Sequence, residues 1–304
     1  MDQAANWIAV DWGTTHLRAW AMGADGRVLA AAASDAGMAT LTREGFEPAL
    51  IALVAGWLVA GRVTPVLACG MVGSRQGWVE APYRAVPCTP LEPGGFVAAP
   101  CADPRLAVRV IPGLKQLAPA DVMRGEETQI AGFLSQDPAF DGVLCLPGTH
   151  NKWVRISAGE VVSFQTFMTG ELFALLADHS VLRHSVGGEG WDEQAFGLAL
   201  DDALSRPDRI AARLFTLRAE ALLSGLAPEA ARSRLSGSLI GVELAAARPY
   251  WLGQQVAVIG AAGIAGAYAT ALTRQGAAPQ VVEGDAMTLA GLAAARGLMS
   301  EGMQ

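Results

Sequence analysis

Ile8-Ala-Val-Asp-Trp-Gly-Thr-Thr-His-Leu-Arg-Ala-Trp-Ala-Met22 runs apolar, breaks at a Gly-Thr-Thr turn and runs apolar again. Short runs of this kind around a glycine turn read as paired strands. Ala24-Asp-Gly26 is a further turn, and a return over residues 27–33 adds a third strand. A second stretch repeats the device. Gly142-Val-Leu-Cys-Leu146 stops at Pro147-Gly-Thr-His-Asn151, resumes as Lys152-Trp-Val-Arg-Ile156, turns at Ser157-Ala-Gly159 and returns over residues 161–166. Superposing the two sets Gly13 on Gly148 and Thr14 on Thr149, so the chain reads as two related halves produced by internal duplication.

Helices are predicted over residues 47–58, 121–134, 208–224, 228–248 and 267–275, with others beginning at 170 and 286. They alternate with strands predicted at 65–69, 255–259 and 280–283, which makes the fold class α/β. Asp121 is expected to cap the N-terminus of its helix. Residues 87–104, rich in Pro and Gly, read as an irregular excursion, and residues 260–266 as a glycine turn. The expected division is into residues 1–137 and 138–304, with the last helix free to pack back on the first part.

The 304 residues are 52% hydrophobic and 17% charged, enough to bury a sizeable core. A formal net charge of -7 argues against a nucleic-acid partner, which calls for a basic stripe. No apolar run reaches the roughly 18 residues needed to span a bilayer, and the N-terminus lacks a basic region followed by an apolar one. A soluble cytoplasmic protein with a small-molecule partner is expected, its oligomeric state left open. Cys69, Cys88, Cys101 and Cys145 have neither CxxC spacing nor a neighbouring His at ligand spacing, and are read as reduced.

Asp11 ends a strand, Gly13 lets backbone approach a ligand closely, and Thr14 and Thr15 add hydroxyls beside free N–H groups. These are the parts that a magnesium-bound nucleotide needs, although an ordinary capped hairpin turn has them too. Gly148, Thr149, His150, Asn151 and Lys152 offer a second donor-rich loop for a polyphosphate. Gly260, Ala261 and Gly263 follow a buried-type strand, where glycines would let a nucleoside lie on a helix N-terminus. That segment also imitates a dinucleotide fingerprint, with Glu283 about 20 residues onward. The spacing is GxxGxxG, however, and too little chain follows to complete such a sheet. A phosphoryl acceptor must lose a proton, and Asp121, Glu126 and Glu127 are the carboxylates available before the second hairpin. Adjacent Glu126 and Glu127 cannot share one helix face. Cys69-Gly-Met-Val-Gly-Ser-Arg-Gln-Gly-Trp78 is a loop shaped for a polar ligand, in which Arg75 could fork onto a carboxylate.

Val10-Asp-Trp-Gly-Thr-Thr15, Gly70-Met-Val-Gly-Ser-Arg-Gln-Gly-Trp78, Arg124-Gly-Glu-Glu-Thr-Gln129, Leu146-Pro-Gly-Thr-His-Asn-Lys152 and Phe167-Met-Thr-Gly-Glu-Leu-Phe173 together resemble the 2-dehydro-3-deoxygalactonokinase family. The resemblance runs end to end. It implies an actin-like fold of two ribonuclease H-like domains with the active site in a cleft between them. It further implies ATP and Mg2+ as cofactors, and phosphorylation of 2-dehydro-3-deoxy-D-galactonate at its 6-hydroxyl during galactonate breakdown. By the same resemblance Asp11 helps hold Mg2+ through water, Gly13, Thr14 and Thr15 form one phosphate loop, Gly148 to Lys152 the other, and Gly260, Ala261 and Gly263 the adenosine loop. Glu126 would be the general base, with Asp121 second. Ser74, Arg75, Gln76, Trp78 and Thr169 would contact the substrate. Leu146 stands where Asp11 stands in the first half, so one carboxylate is expected on the metal side. A phosphatase or polyphosphate hydrolase of the same fold is the alternative, suggested by Gly125-Glu-Glu127, and a non-catalytic nucleotide-dependent regulator is a third reading.

Overall fold

The computed structural model describes residues 4–301. Residues 1–3, from which part of the N-terminal reading was drawn, lie outside that range. The strands are β1 (Trp7–Trp12), β2 (Leu17–Met22), β3 (Val28–Ser34), β4 (Thr64–Gly70), β5 (Arg84–Ala85), β6 (Val97–Ala98), β7 (Leu106–Val110), β8 (Leu114–Leu117), β9 (Ala120–Met123), β10 (Gly142–Leu146), β11 (Asn151–Ser157), β12 (Glu160–Phe167), β13 (Val256–Gly260) and β14 (Gln280–Glu283). The helices are α1 (Phe46–Val54), α2 (Glu126–Gln136), α3 (Thr169–His179), α4 (Glu193–Ser205), α5 (Ile210–Leu223), α6 (Pro228–Ala246), α7 (Arg248–Trp251), α8 (Ala262–Arg274) and α9 (Gly284–Glu301).

The duplication shows in the sheets. One runs β3-β2-β1-β4-β7-β6 and the other β12-β11-β10-β13-β14. In both, the first three strands form a meander whose first strand lies beside the fourth strand, and a later strand follows the fourth, β7 in one sheet and β14 in the other, in keeping with the two related halves expected from the sequence. In the first sheet β1 pairs antiparallel with β2 and parallel with β4, and β4 runs parallel to β7. In the second, β13 is parallel to both β10 and β14. A small sheet, β5-β8-β9, comes from the segment after the first glycine-rich loop.

Period-two alternation assigns the faces of the first sheet. Ile8, Val10 and Trp12 of β1 and Val66 and Ala68 of β4 enter a cluster with Phe46 and Leu50 of α1. Trp7, Ala9, Leu67 and Cys69 point the other way, into a cluster with Ala131 of α2 and Leu292 and Ala295 of α9. Both faces are thus covered, which explains why these strands read as nearly continuous apolar runs. In the second sheet Val143, Cys145, Val256 and Val258 pack with Phe196 and Leu200 of α4, Ile240 and Leu244 of α6, and Tyr268, Ala271 and Leu272 of α8.

By internal contacts the chain forms two units, residues 1–140 with 156–163 and 284–304, and residues 141–155 with 164–283. The C-terminal helix therefore belongs with the first sheet. Three predicted elements differ. Asp121 lies in β9, paired with Gln116, and the helix starts five residues later at Glu126, because Gly125 breaks the run with a φ of 104°. The excursion over 87–104 contains β6, which joins the edge of the first sheet through β7. The glycine turn over 260–266 shrinks, because α8 begins at Ala262 and absorbs Gly263 and Gly266 among its alanines. All four cysteines are unpaired. Among the described residues no helix is long and apolar enough to cross a membrane.

Candidate active site

In the first unit, Asp11 is placed by the β1–β2 hairpin directly opposite Arg18, whose Nη2 donates to Asp11 Oδ2 at 2.5 Å. The same guanidinium reaches Asp285 at the start of α9. On the other flank Cys69 Sγ lies 3.8 Å from Asp11 Oδ1. Burial pushes the Cys69 thiol well above its usual range, with the Asp11 and Glu127 carboxylates adding to the effect, so it stays an S–H donor. The turn after Asp11 is tied down through its carbonyl groups. Met38 N donates to Gly13 O at 3.0 Å and Ala39 N to Thr14 O at 2.9 Å. Thr14 and Thr15 are exposed, and no hydrogen bond among the described residues uses their N–H groups. What this loop has left to offer is donors, the complement of an anion.

Gly125 brings the start of α2 against the end of β4, since a Cβ there would lie 3.5 Å from Gly70 Cα. Both glutamates that follow fold back on the turn. Arg124 N donates to Glu126 Oε2 at 2.9 Å, and Gly125 N to Glu127 Oε2 at 2.7 Å. Their environments differ. Glu126 is half-buried, whereas Glu127 is wholly buried and is pushed up to about 8, first by desolvation and then by the charge of Glu126. Glu127 therefore keeps its proton at neutral pH and is out of reach of a ligand, which leaves Glu126 as the accessible carboxyl of the pair. Asp121 bonds the next backbone N–H at 2.8 Å, on β9 of the small sheet.

The loop after β4 sorts its predicted ligand residues. Arg75 and Gln76 are exposed, and Ser74 is buried with no partner for its Oγ. Trp78 is corrected to a core residue. It packs at 6.2 Å from Trp12 and 6.4 Å from Phe46, and its Nε1 donates to Pro100 O, which leaves it no polar atom for a ligand. Arg124, which the reading of single residues passed over, lies over the Tyr83 ring at 4.3 Å and donates to Ala81 O at 2.8 Å.

The second unit repeats the first loop's construction. Glu171 N donates to Thr149 O at 2.9 Å, as Ala39 N does to Thr14 O. Gly148, Thr149 and His150 are exposed. The side chain of His150 pairs with Glu171 at 2.5 Å. Asn151 and Lys152 are buried, because β11 begins at Asn151 and takes both side chains into the protein. Asn151 Oδ1 accepts from Gly148 N at 2.8 Å, and its Nδ2 donates to Glu243 and to the Tyr268 hydroxyl. Lys152 Nζ lies 3.3 Å from His150 O.

Beside this loop lies a cavity of about 630 Å³. Gly263, Gly266 and Thr270 lie on one face of α8, Arg232 and Ser236 belong to α6, and Phe173 and Trp191 complete the wall. Its size suits a nucleoside, and glycines spaced three apart let a flat ring approach the helix backbone. Arg232 lies 4.8 Å over the Phe173 ring. Thr169, expected at the substrate, lines this cavity. The aromatic and basic lining was not foreseen, because it comes from three segments with no shared motif. Arg18 could have been found, since a hairpin closing at Gly13 and His16 sets residue 18 opposite residue 11. Among the described residues no three His, Cys, Asp or Glu side chains form a metal cluster.

A family model described as 2-keto-3-deoxy-galactonokinase matches residues 11–295. The chain belongs to this family. Kinases of the 2-keto-3-deoxy-galactonokinase family use ATP and act on a sugar acid, which agrees with donor loops and a nucleoside-sized cavity in an acidic protein. A similar protein named "Probable 2-dehydro-3-deoxygalactonokinase DgoK1", from Rhizobium meliloti (strain 1021), is 41% identical over 302 residues, covering 97% of this chain and 98% of its own. The 2-dehydro-3-deoxygalactonokinase of Escherichia coli (strain K12) is 34% identical over 291 residues, covering 95% and 96%. A crystal structure from Sinorhizobium meliloti, of a protein assigned to the same kinases, superposes with a TM-score of 0.88 at 40% identity over 95% of this chain and 97% of that one.

Proposed function

We propose that this chain transfers the γ-phosphoryl group of ATP to the 6-hydroxyl of 2-dehydro-3-deoxy-D-galactonate, giving the 6-phosphate and ADP. The observation that supports it most is the pair of loops at Gly13 and Gly148, in which Thr14 and Thr149 are held through their carbonyls while no hydrogen bond among the described residues uses the N–H groups of Thr14, Thr15 and Thr149, so that these donors remain for phosphate. Family membership supplies the sugar acid. In this reading the nucleoside takes the cavity along α8, Thr149 donates to phosphate oxygens beside Gly148, whose own N–H is held by Asn151, and Thr14 and Thr15 donate to the transferring group.

Glu126 accepts the hydroxyl proton as the oxygen bonds to phosphorus and the bond to the ADP oxygen breaks. Its partner Glu127 keeps a proton and is unsuited to that task. Arg75, exposed in the loop after β4, forks onto the substrate carboxylate. Asp11, whose Oδ2 is paired with Arg18 while Oδ1 faces the Cys69 thiol, would hold Mg2+ through water, and the ion would neutralise charge on the phosphates. Phosphorus NMR of the product, with proton coupling, tests the assignment. A phosphomonoester on the terminal carbon is expected, and inorganic phosphate alone would replace the kinase reading with hydrolysis.

A further inference from the structure

Glu243, in the last turn of α6, is 2% exposed. Its carboxylate nevertheless accepts three hydrogen bonds. Trp153 Nε1 donates to Oε1 at 2.7 Å, while Asn151 Nδ2 at 2.8 Å and the Tyr268 hydroxyl at 2.6 Å donate to Oε2. Burial, with the Glu243 charge adding to it, pushes the Tyr268 phenol well above its usual range, so it remains a donor. A buried carboxylate is costly unless its lone pairs are satisfied, and an apolar residue would fill the same space at lower cost. Its partners show what it does there. Asn151 passes the connection to the loop, because its Oδ1 accepts from Gly148 N at 2.8 Å. Tyr268 passes it to α8, the helix that lines the nucleoside-sized cavity, which Asn151 and Tyr268 also line.

We infer that Glu243 is a positioning residue that locks the Gly148 loop to the nucleoside cavity through Asn151 and Tyr268. The two oxygens divide the labour. Oε2 serves the loop and α8, and Oε1 anchors the strand β11 through Trp153. The inference rests on the nucleotide reading proposed above. Without the lock, Gly148 and Thr149 keep their residue types but lose their fixed placement, so nucleotide affinity falls while the sugar-acid site is untouched.

The test compares Glu243→Gln, Asn151→Ala and Trp153→Phe with the wild type. The readouts are steady-state KM for ATP and for 2-dehydro-3-deoxy-D-galactonate, melting temperature, and hydrogen exchange of the peptide spanning residues 146–152. Asn151→Ala should raise the KM for ATP about five-fold or more, the effect of losing one fixed hydrogen bond, with that for the sugar acid within about two-fold. Exchange in the loop should quicken. Glu243→Gln should follow it, and Trp153→Phe should lower the melting temperature with the KM for ATP retained. The inference is overturned if Asn151→Ala leaves loop exchange unchanged, or if all three variants shift both KM values in proportion to lost stability. Should Glu243→Gln not fold, Asn151→Ala decides alone. Loop exchange is read without nucleotide, so a wild type inactive with ATP would sink the proposed function while this readout still judged the lock.

Discussion

Asp11 lies among partners of opposite character, the Arg18 guanidinium on one side and the Cys69 thiol on the other. Replacing it with Asn keeps the shape and removes the charge. Turnover of Asp11→Asn should fall by roughly 100-fold or more with the circular dichroism spectrum unchanged, and a nearly active variant would end the metal assignment. Glu127 yields a different kind of prediction. Its carboxyl is held near 8 in the folded protein against an ordinary 4.5, so the folded state keeps a proton that the unfolded chain releases. The stability this supplies is fully present below about 4.5 and is lost as pH rises through about 8. Glu127→Gln, which cannot ionise, should show a flatter melting-temperature profile between pH 5 and 8 than the wild type. A parallel profile would mean that the buried acid is ionised throughout. Residue identity was legible where chemistry is local. Asp11, Thr14, Thr149 and Glu126 stood out by type and spacing, whereas the burial of Asn151, Lys152 and Trp78 depended on neighbours distant in the chain.

Each glycine loop is an element shared by two segments, and the second segment was invisible beforehand. Gly37 returns after β3 so closely that a Cβ would lie 2.2 Å from the Thr15 carbonyl carbon, and Gly170 at the start of α3 so closely that a Cβ would lie 2.1 Å from Gly148 O. Both distances are below any real contact. Gly170→Ala should therefore displace the Gly148 loop, costing about 1–3 kcal/mol of stability and raising the KM for ATP while the KM for the sugar acid holds. A variant with wild-type ATP kinetics would contradict the loop's role. Hairpins and buried strands were legible from alternation and turn residues, because those signals are local. The start of α2 was misread because a capping-type Asp at 121 is a weaker signal than Gly125, which takes a left-handed conformation before the helix can begin.

At the scale of the whole molecule, the two larger of the three sheets each open with the same three-strand meander beside a fourth strand, and the repeated Gly-Thr turn was enough to expect two related halves. Less legible was the division of the chain between units. The helix α9 follows the last strand of the second sheet but buries Leu292 and Ala295 with the first. Its apolar face announces that it is covered, and nothing local says by which sheet. Gly132 and Gly291 reveal the contact, since a Cβ on either would collide with the facing helix at Met287 O or Thr128 O. At this scale the central claim is that the protein couples ATP cleavage to a sugar acid. The most direct measurement is ADP release from purified protein with Mg-ATP and 2-dehydro-3-deoxy-D-galactonate, beside its gluconate-derived epimer, an acceptor lacking the carboxylate, and no acceptor. The account predicts ADP only with the sugar acids, and little with the acceptor that Arg75 cannot grip. Equal ADP release without any acceptor would contradict it.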